Sequence, residues 1–122
     1  MAVNYQSCPP NEIVIVDSST NEEVQGIVEE YGKTIPIIYH RVEKAYPGKA
    51  RNIGVDLASS EWIAFLDSKT VPEKNWLERY QYLIQEYNAN VIFGVTQFEA
   101  TLSFQKALRS ATYGEVGHHT VP

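Results

Sequence analysis

Two basic side chains lie at the predicted start of a helix, an arrangement that favours binding of an anion. The turn Pro47-Gly48 precedes Lys49 and Arg51, and small and apolar residues then repeat at helical spacing. Free N–H groups already make the first turn of a helix electropositive, so two cations there are unfavourable until an anion binds. We therefore predict that this turn holds a diphosphate, with Lys49 or Arg51 assisting. The alternative is a solvated basic turn.

Two carboxylates each follow directly on a short apolar run. The run 62–66 ends at Asp67, and the run 13–16 ends at Asp17. Such runs predict β-strands, and the ligands of open α/β sheets bind beyond the carboxyl ends of the strands. A carboxylate there is well placed to bind a ribose hydroxyl or a metal ion. The alternative for Asp67 is a cap on the turn that follows it.

Strands and helices alternate along the chain, which predicts a mainly parallel α/β sheet in a three-layer sandwich. Ser19 and Thr20, each three residues before a Glu, predict a helix start, and Gly32 predicts that helix's end. Pro72 and Glu73 predict another helix start, with an aromatic stripe that packs in the core. The predicted strands are 13–16, 35–39, 62–66 and 91–95, and a last helix contains Phe104 to Ala111.

Composition limits the classes of function. The chain has 122 residues, 43% of them hydrophobic, which predicts a single globular domain over 1–122. A net charge of −5 argues against a nucleic-acid partner. No segment is apolar enough to predict a membrane span, and no secretory signal pattern is present. One cysteine, Cys8, excludes an internal disulfide, so we expect a location in the cytoplasm or at the cytoplasmic face of a membrane.

The chain resembles inverting glycosyltransferases of family two over nearly its whole length. The family's nucleotide-sugar domain typically reads A-R-N-x-G, then a small-residue helix, then E-Y-I-A-F-L-D-x-D-x-x-P-x-x-W-L. The matching residues are Ala50-Arg51-Asn52-Ile53-Gly54, 61–67, Pro72 and Trp76-Leu77. Residues 9–20 are similar to the family's second strand and its D-x-G-S-T turn. Phe93-Gly94-Val95, Tyr113-Gly114 and Val121-Pro122 match more weakly.

This resemblance implies the Rossmann-like nucleotide half of the GT-A fold, and inverting transfer of a sugar from a nucleotide-diphosphate donor to an acceptor hydroxyl. Asp17 would bind the nucleobase of a uridine-type donor. Asp67 would be the first acid of the D-x-D motif, which touches the ribose and supports a Mg or Mn ion. The predicted nucleotide-binding residues are Asp17, Lys49, Arg51, Asp67 and Lys69.

Lys69 departs from the family pattern, because the second acid of D-x-D coordinates the metal ion that bridges the donor diphosphate. A protonated ammonium group cannot coordinate a hard cation. Three interpretations remain open. Lys69 replaces the metal as counter-charge for the diphosphate, the protein has lost catalysis, or Lys69 faces solvent and another acid binds the metal.

The chain also resembles a family domain that is truncated at both ends. The family's first strand is absent, and in the resembled fold that strand lies between the strands that end at Asp17 and Asp67. We expect these two strands to close together or to recruit a strand from a second chain. The family's general base lies beyond Pro122, so no catalytic residue is assigned. Glu99 and Glu115 are the nearby late carboxylates.

Two other classes compete with an active transferase. A two-component receiver domain would use Asp17, Asp67, Thr96 and Lys106, but Asp17 is followed by Ser18 where receivers need an acidic pair. A degenerate binding module of the glycosyltransferase fold is the stronger rival. The sequence leaves the sugar, the acceptor and the oligomeric state open, and a homo-oligomer remains possible.

Overall fold

The computed structural model describes residues 2–96, and within this range the chain forms an α/β fold built on a parallel sheet. The contacts within the chain group residues 1–90 into one unit and assign residues from Val91 onward to a second, so a single domain stays a prediction. The elements of the first unit, after a short 3-10 helix Ala2–Tyr5, are β1 (Ile13–Asp17), α1 (Glu23–Tyr31), β2 (Ile37–Arg41), α2 (Pro47–Leu57) and α3 (Trp76–Tyr87).

The two strands and the helix between them form a β-α-β unit. The strands β1 and β2 are parallel, with Ile13 opposite Ile37 and Asp17 opposite Arg41. The ladder is extended at both ends, by a bond from Ile13 N to Pro36 O (2.9 Å) and by one from Val42 N to Asp17 O (2.8 Å). Helix α1 packs against β2, and helix α2 packs against β1. The sheet therefore presents its carboxyl ends together at Asp17 and Arg41.

Helix α2 runs antiparallel to β1, as two contacts show. The position that a Cβ would take at Gly54 lies 3.7 Å from Val16 Cγ2, near the carboxyl end of β1. After the helix, the backbone N–H groups and hydroxyls of Ser59 and Ser60 donate to one carboxylate oxygen of Glu12, just before β1. The first turn of α2 consequently lies at the end of the sheet where Asp17 is found.

The N-terminal segment is fastened to the start of α3. The side-chain amide of Gln6 donates to Glu73 O at 2.8 Å, and its oxygen accepts from Leu77 N at 3.2 Å. Ser7 adds a backbone bond to Lys74 O of 2.8 Å. Gln6 is 7% exposed, so the nitrogen and the oxygen of its side-chain amide both make their hydrogen bonds inside the protein. These bonds fix α3 against the residues that lead into β1.

The predicted strands at 62–66 and 91–95 are wrong. Neither segment is a strand in the structure, and among the described residues β1 pairs with β2 alone. An extended chain becomes a strand only when a neighbour accepts and donates its backbone hydrogen bonds. Without such a neighbour the apolar side chains stay accessible, and Phe65 is 55% exposed and Phe93 is 89% exposed. The expected closure of the segment ending at Asp67 onto β1 does not occur.

The ends of the other elements differ in detail from the predictions. Strand β2 begins at Ile37, two residues later than predicted, because Pro36 lacks an N–H and contributes only its carbonyl to the ladder. The capping-box prediction for α1 is wrong, since Glu22 is the N-cap residue and no side chain caps it. Gly32 ends α1 as predicted. Helix α3 begins at Trp76, after the predicted start at Pro72 and Glu73.

The predicted core stripe on α3 is only partly buried. Trp76 and Tyr80 contact each other with ring centroids 5.4 Å apart, and both are half-buried, whereas Tyr87 is 70% exposed. Among the described residues, Ile35 is the one buried apolar side chain, and 9% of it is still exposed. The predicted last helix from Phe104 lies outside the described residues. None of the described helices is long and apolar enough to cross a membrane.

Candidate functional site

Four of the predicted site residues lie at one end of the fold, which is formed by the carboxyl end of the sheet and the first half of α2. Asp17 is the last residue of β1. Lys49 and Arg51 lie in the first half of α2, which the antiparallel packing places beside that end. Asp67 reaches the same place because it pairs with Arg51. Of these four side chains, the structure brings Arg51 and Asp67 into direct contact.

Asp17 is a buried carboxylate with a donor on each oxygen. It is 6% exposed. Its Oδ1 accepts from Ser19 N at 2.8 Å, and its Oδ2 accepts from the Tyr39 hydroxyl at 2.8 Å. A carboxylate has about four lone-pair sites, so further donors can still be accepted. The side chain is therefore held in one orientation while keeping capacity for a ligand.

The surroundings of Asp17 favour its ionised form. Burial alone would raise its pKa, but the hydrogen bonds from Ser19 and Tyr39 and the positive charge of Arg41 outweigh burial, and the pKa lies below its usual value. The same hydrogen bond to Asp17, reinforced by burial and the carboxylate charge, raises the pKa of Tyr39. Near neutral pH the pair is a phenol that donates to a carboxylate.

Arg51 and Asp67 form an ion pair on the surface. Arg51 Nη2 lies 2.8 Å from Asp67 Oδ1, and the side chains are 46% and 73% exposed. The bond joins the first half of α2 to the turn that follows residues 62–66. A guanidinium has five N–H donors in a fork, so one bond to Asp67 leaves others for an oxyanion. The pair brings a phosphate-type donor beside a carboxylate acceptor.

Lys49 and Lys69 are both exposed at this end. Lys49 follows Pro47, the first residue of α2, whose N-cap Tyr46 makes no side-chain cap hydrogen bond. Lys69 lies in the tight turn closed by a bond from Thr70 N to Asp67 O of 2.9 Å. The ammonium group of Lys69 therefore stands two residues from Asp67 with access to solvent.

A divalent metal ion does not fit the described part of the site well. Between residues 2 and 96, no group of three or more His, Cys, Asp or Glu side chains is placed to hold a metal. Asp67 is the one acid of the predicted D-x-D position that remains, and its Oδ1 accepts from Arg51. Hard cations prefer several oxygen ligands at once.

Sequence reasoning missed Tyr39 and Arg41, the residues of β2 that act on Asp17. Tyr39 stands opposite Ile15 in the ladder, and Arg41 stands opposite Asp17. Once the two runs are assumed to be parallel neighbours, alternate residues of one strand share a face. The spacing Tyr39-x-Arg41 places both side chains on the face of the sheet that carries Asp17, and this spacing is the feature of the sequence that could have identified them.

The fold is that of an α/β protein with polar and charged side chains at the carboxyl edge of a parallel sheet. A profile of the family described as Glycosyl transferase family 2 matches residues 2–119. This chain belongs to that family.

The sequence identity between this chain and individual relatives is low. An uncharacterized glycosyltransferase of Rickettsia bellii is 27% identical over 111 residues, covering 91% of this chain and 16% of that protein. Chondroitin synthase of Pasteurella multocida is 28% identical, covering 81% of this chain and 10% of that protein. Glycosyltransferase AglE of Haloferax volcanii is 27% identical, covering 80% of this chain and 33% of that protein. The chain thus spans a third or less of each of these relatives. No solved structure matches the chain significantly.

Proposed function

We propose that this chain is the donor-binding part of a glycosyltransferase that transfers a sugar from a nucleotide diphosphate to an acceptor hydroxyl with inversion. The observation that carries the proposal is the Arg51–Asp67 pair, which lies at the end of the sheet where Asp17 ends β1 and where α2, with Lys49, begins. Family membership and the names of the relatives support the same class of reaction.

Each group at this end matches one part of a nucleotide diphosphate. The ionised Asp17 accepts hydrogen bonds only, which suits the ring N–H of a base such as uracil. The first turn of α2 offers N–H groups to the diphosphate, and Lys49 in that turn and Arg51 directly after it offer positive charge. Asp67 offers carboxylate oxygens to ribose hydroxyls. The ligand would extend from Asp17 across the start of α2 to Asp67.

Binding of a diphosphate competes with Asp67 for the Arg51 guanidinium. The exposed pair is weak, since such pairs are worth about 0 to 1 kcal/mol. Charge-assisted bonds to a ligand are worth about 1.5 to 3 kcal/mol. Because the bonds to the ligand are stronger than the ion pair, we expect Arg51 to turn partly toward the phosphates when the ligand binds. The oxygens of Asp67 then become available to the ribose.

A positively charged side chain takes the place of the metal ion as counter-charge for the diphosphate. Lys69 stands where the family places a second metal ligand, and it supplies the positive charge that a leaving nucleoside diphosphate requires. In the transfer itself, the acceptor oxygen forms a bond to the anomeric carbon as the bond to the diphosphate breaks. A general base takes the acceptor's proton. No described residue is assigned that role, and Glu99 and Glu115 lie outside the described residues.

A second candidate function is nucleotide binding without turnover. Lys69 in the motif favours it, because an ammonium group there prevents the usual metal coordination. Hydrolysis or transfer of a nucleotide sugar by the full-length protein separates the two functions. Turnover supports the enzyme, and nucleotide binding without any turnover supports the binding module.

Calorimetric titration of the full-length protein with uridine and other nucleoside diphosphates tests the site. We expect Asp67→Ala to lower the affinity, because the ribose loses its acceptor. Asp56→Ala is the matched control, since Asp56 is an exposed acid in the last turn of the same helix that carries Arg51. Unchanged affinity in Asp67→Ala, or equal losses in the two variants, would contradict the proposed site.

A further inference from the structure

The hydroxyl of Tyr39 donates a hydrogen bond to Asp17, the one buried carboxylate among the described residues. Tyr39 lies on β2 and stands opposite Ile15, two residues before Asp17 on β1. From there its hydroxyl reaches Asp17 Oδ2 at 2.8 Å, while the ring remains half-buried. The bond spans 22 residues of sequence, so it depends on the register of the parallel strands and not on a local turn.

The two donors on Asp17 act differently. Ser19 N belongs to the turn that directly follows β1, and it would hold Oδ1 in any local turn of this type. Tyr39 holds the other oxygen and so fixes the rotation of the carboxylate plane. With Asp17 only 6% exposed, an Oδ2 that lost this donor would be left buried without a protein partner.

We propose that Tyr39 is a positioning residue for base recognition, whose hydroxyl holds the Asp17 carboxylate in the orientation that accepts the ring N–H of a nucleobase. The inference rests on the proposed function of Asp17 as the base acceptor. It assigns Tyr39 no contact with the sugar or the diphosphate. Its effect is confined to ligands that carry a base with a ring N–H.

Tyr39→Phe tests this assignment, because it removes the hydroxyl and keeps the ring in the sheet. The full-length variant is titrated with uridine diphosphate and with inorganic pyrophosphate, which carries no base. We expect the affinity for uridine diphosphate to fall by about tenfold, as for one lost hydrogen bond to a charged group, and the affinity for pyrophosphate to stay the same. Tyr80→Phe is the matched control, since that ring contacts Trp76 on α3.

A double-mutant cycle shows whether Tyr39 acts through Asp17. In an Asp17→Asn background the carboxylate is already lost, so Tyr39→Phe should cause little further loss of affinity for uridine diphosphate. Circular dichroism of each variant confirms that the fold is kept. If Tyr39→Phe unfolds, Tyr39→His is titrated in its place with the same two ligands. A loss confined to uridine diphosphate is again expected, because an imidazole is shorter than a phenol and does not place an N–H where the hydroxyl stands.

The outcomes separate this inference from the proposed function. Equal losses for both ligands in Tyr39→Phe would show a merely structural role, and unchanged affinity for uridine diphosphate would show no role. Either result overturns the inference and leaves the nucleotide site standing. If the unmodified protein binds no nucleoside diphosphate, the proposed function fails and the inference falls with it.

Discussion

The guanidinium of Arg51 and the carboxylate of Asp67 lie 2.8 Å apart, joining helix α2 to a turn 16 residues further along the chain. Both side chains are substantially exposed, so water screens the attraction. The bond therefore contributes little to the stability of the fold. Its consequence is chemical, because it places a guanidinium and a carboxylate side by side, each partly neutralised by the other, and in the proposed site these groups would bind phosphate and hydroxyl groups.

Asp67→Ala should have opposite effects on two ligands. Without its carboxylate, Arg51 is free, and the affinity for inorganic pyrophosphate should rise by up to a few fold at low salt, as for an exposed pair worth about 0 to 1 kcal/mol. The affinity for uridine diphosphate should fall, because the lost ribose bond is worth about 1.5 to 3 kcal/mol. Calorimetry with both ligands measures this. A decrease for pyrophosphate would contradict the competition between Asp67 and the diphosphate.

Lys69→Asp should make nucleotide binding depend on a divalent metal. The unmodified protein should bind uridine diphosphate almost equally with a chelator and with added Mg²⁺ or Mn²⁺, because the Lys69 charge serves the diphosphate. The variant restores two acids around Ser68, and binding should then strengthen on addition of metal. Lys74→Asp, an exposed site between Pro72 and α3, controls for the change of charge. Strong metal dependence of the unmodified protein would refute the counter-charge role.

The helices α1, α2 and α3 and the β-α-β unit could be predicted from the sequence, because apolar spacing and helix-ending residues such as Gly32 act locally. The predicted capping box does not form, because the backbone N–H of Ser19 donates to the Asp17 carboxylate at 2.8 Å and this bond holds Ser19 in a turn before α1. Residues 62–66 have the composition of a strand, but composition cannot provide the neighbouring backbone that a strand requires.

The residues of the candidate site stand out in the sequence by their types, whereas their pairings do not. Asp17, Arg51 and Asp67 stood out because acids at strand ends and cations at a helix start are chemically conspicuous. The partner of Asp17 depends on strand register, and the partner of Arg51 depends on the path of the chain between α2 and Asp67. Both are tertiary properties that a single sequence does not encode in its spacing.

Asp17 should make the stability of the fold depend on pH in the acid range. Its folded-state pKa lies below the ordinary value of 3.8, so its contribution to stability is present above that value and is lost as the pH falls through the folded pKa. We therefore expect Asp17→Asn to be most destabilising near neutral pH and progressively less so below pH 3.8. Urea unfolding across this range measures the difference. A difference that stays constant with pH would show that the charge of Asp17 does not stabilise the fold.

Gln6 should be a larger contributor to stability than its position near the N-terminus suggests. Its buried amide donates to Glu73 O and accepts from Leu77 N, so Gln6→Ala removes the acceptor of Leu77 N, while Glu73 O keeps the bond from Trp76 N at 3.0 Å. An unsatisfied buried group costs about 1 to 3 kcal/mol, and we expect the free energy of unfolding to fall by about that amount. Gln85→Ala, at an exposed position on α3, should change it by less than about 0.5 kcal/mol. Equal effects of the two substitutions in urea unfolding would mean that the N-terminal segment does not hold α3 in place.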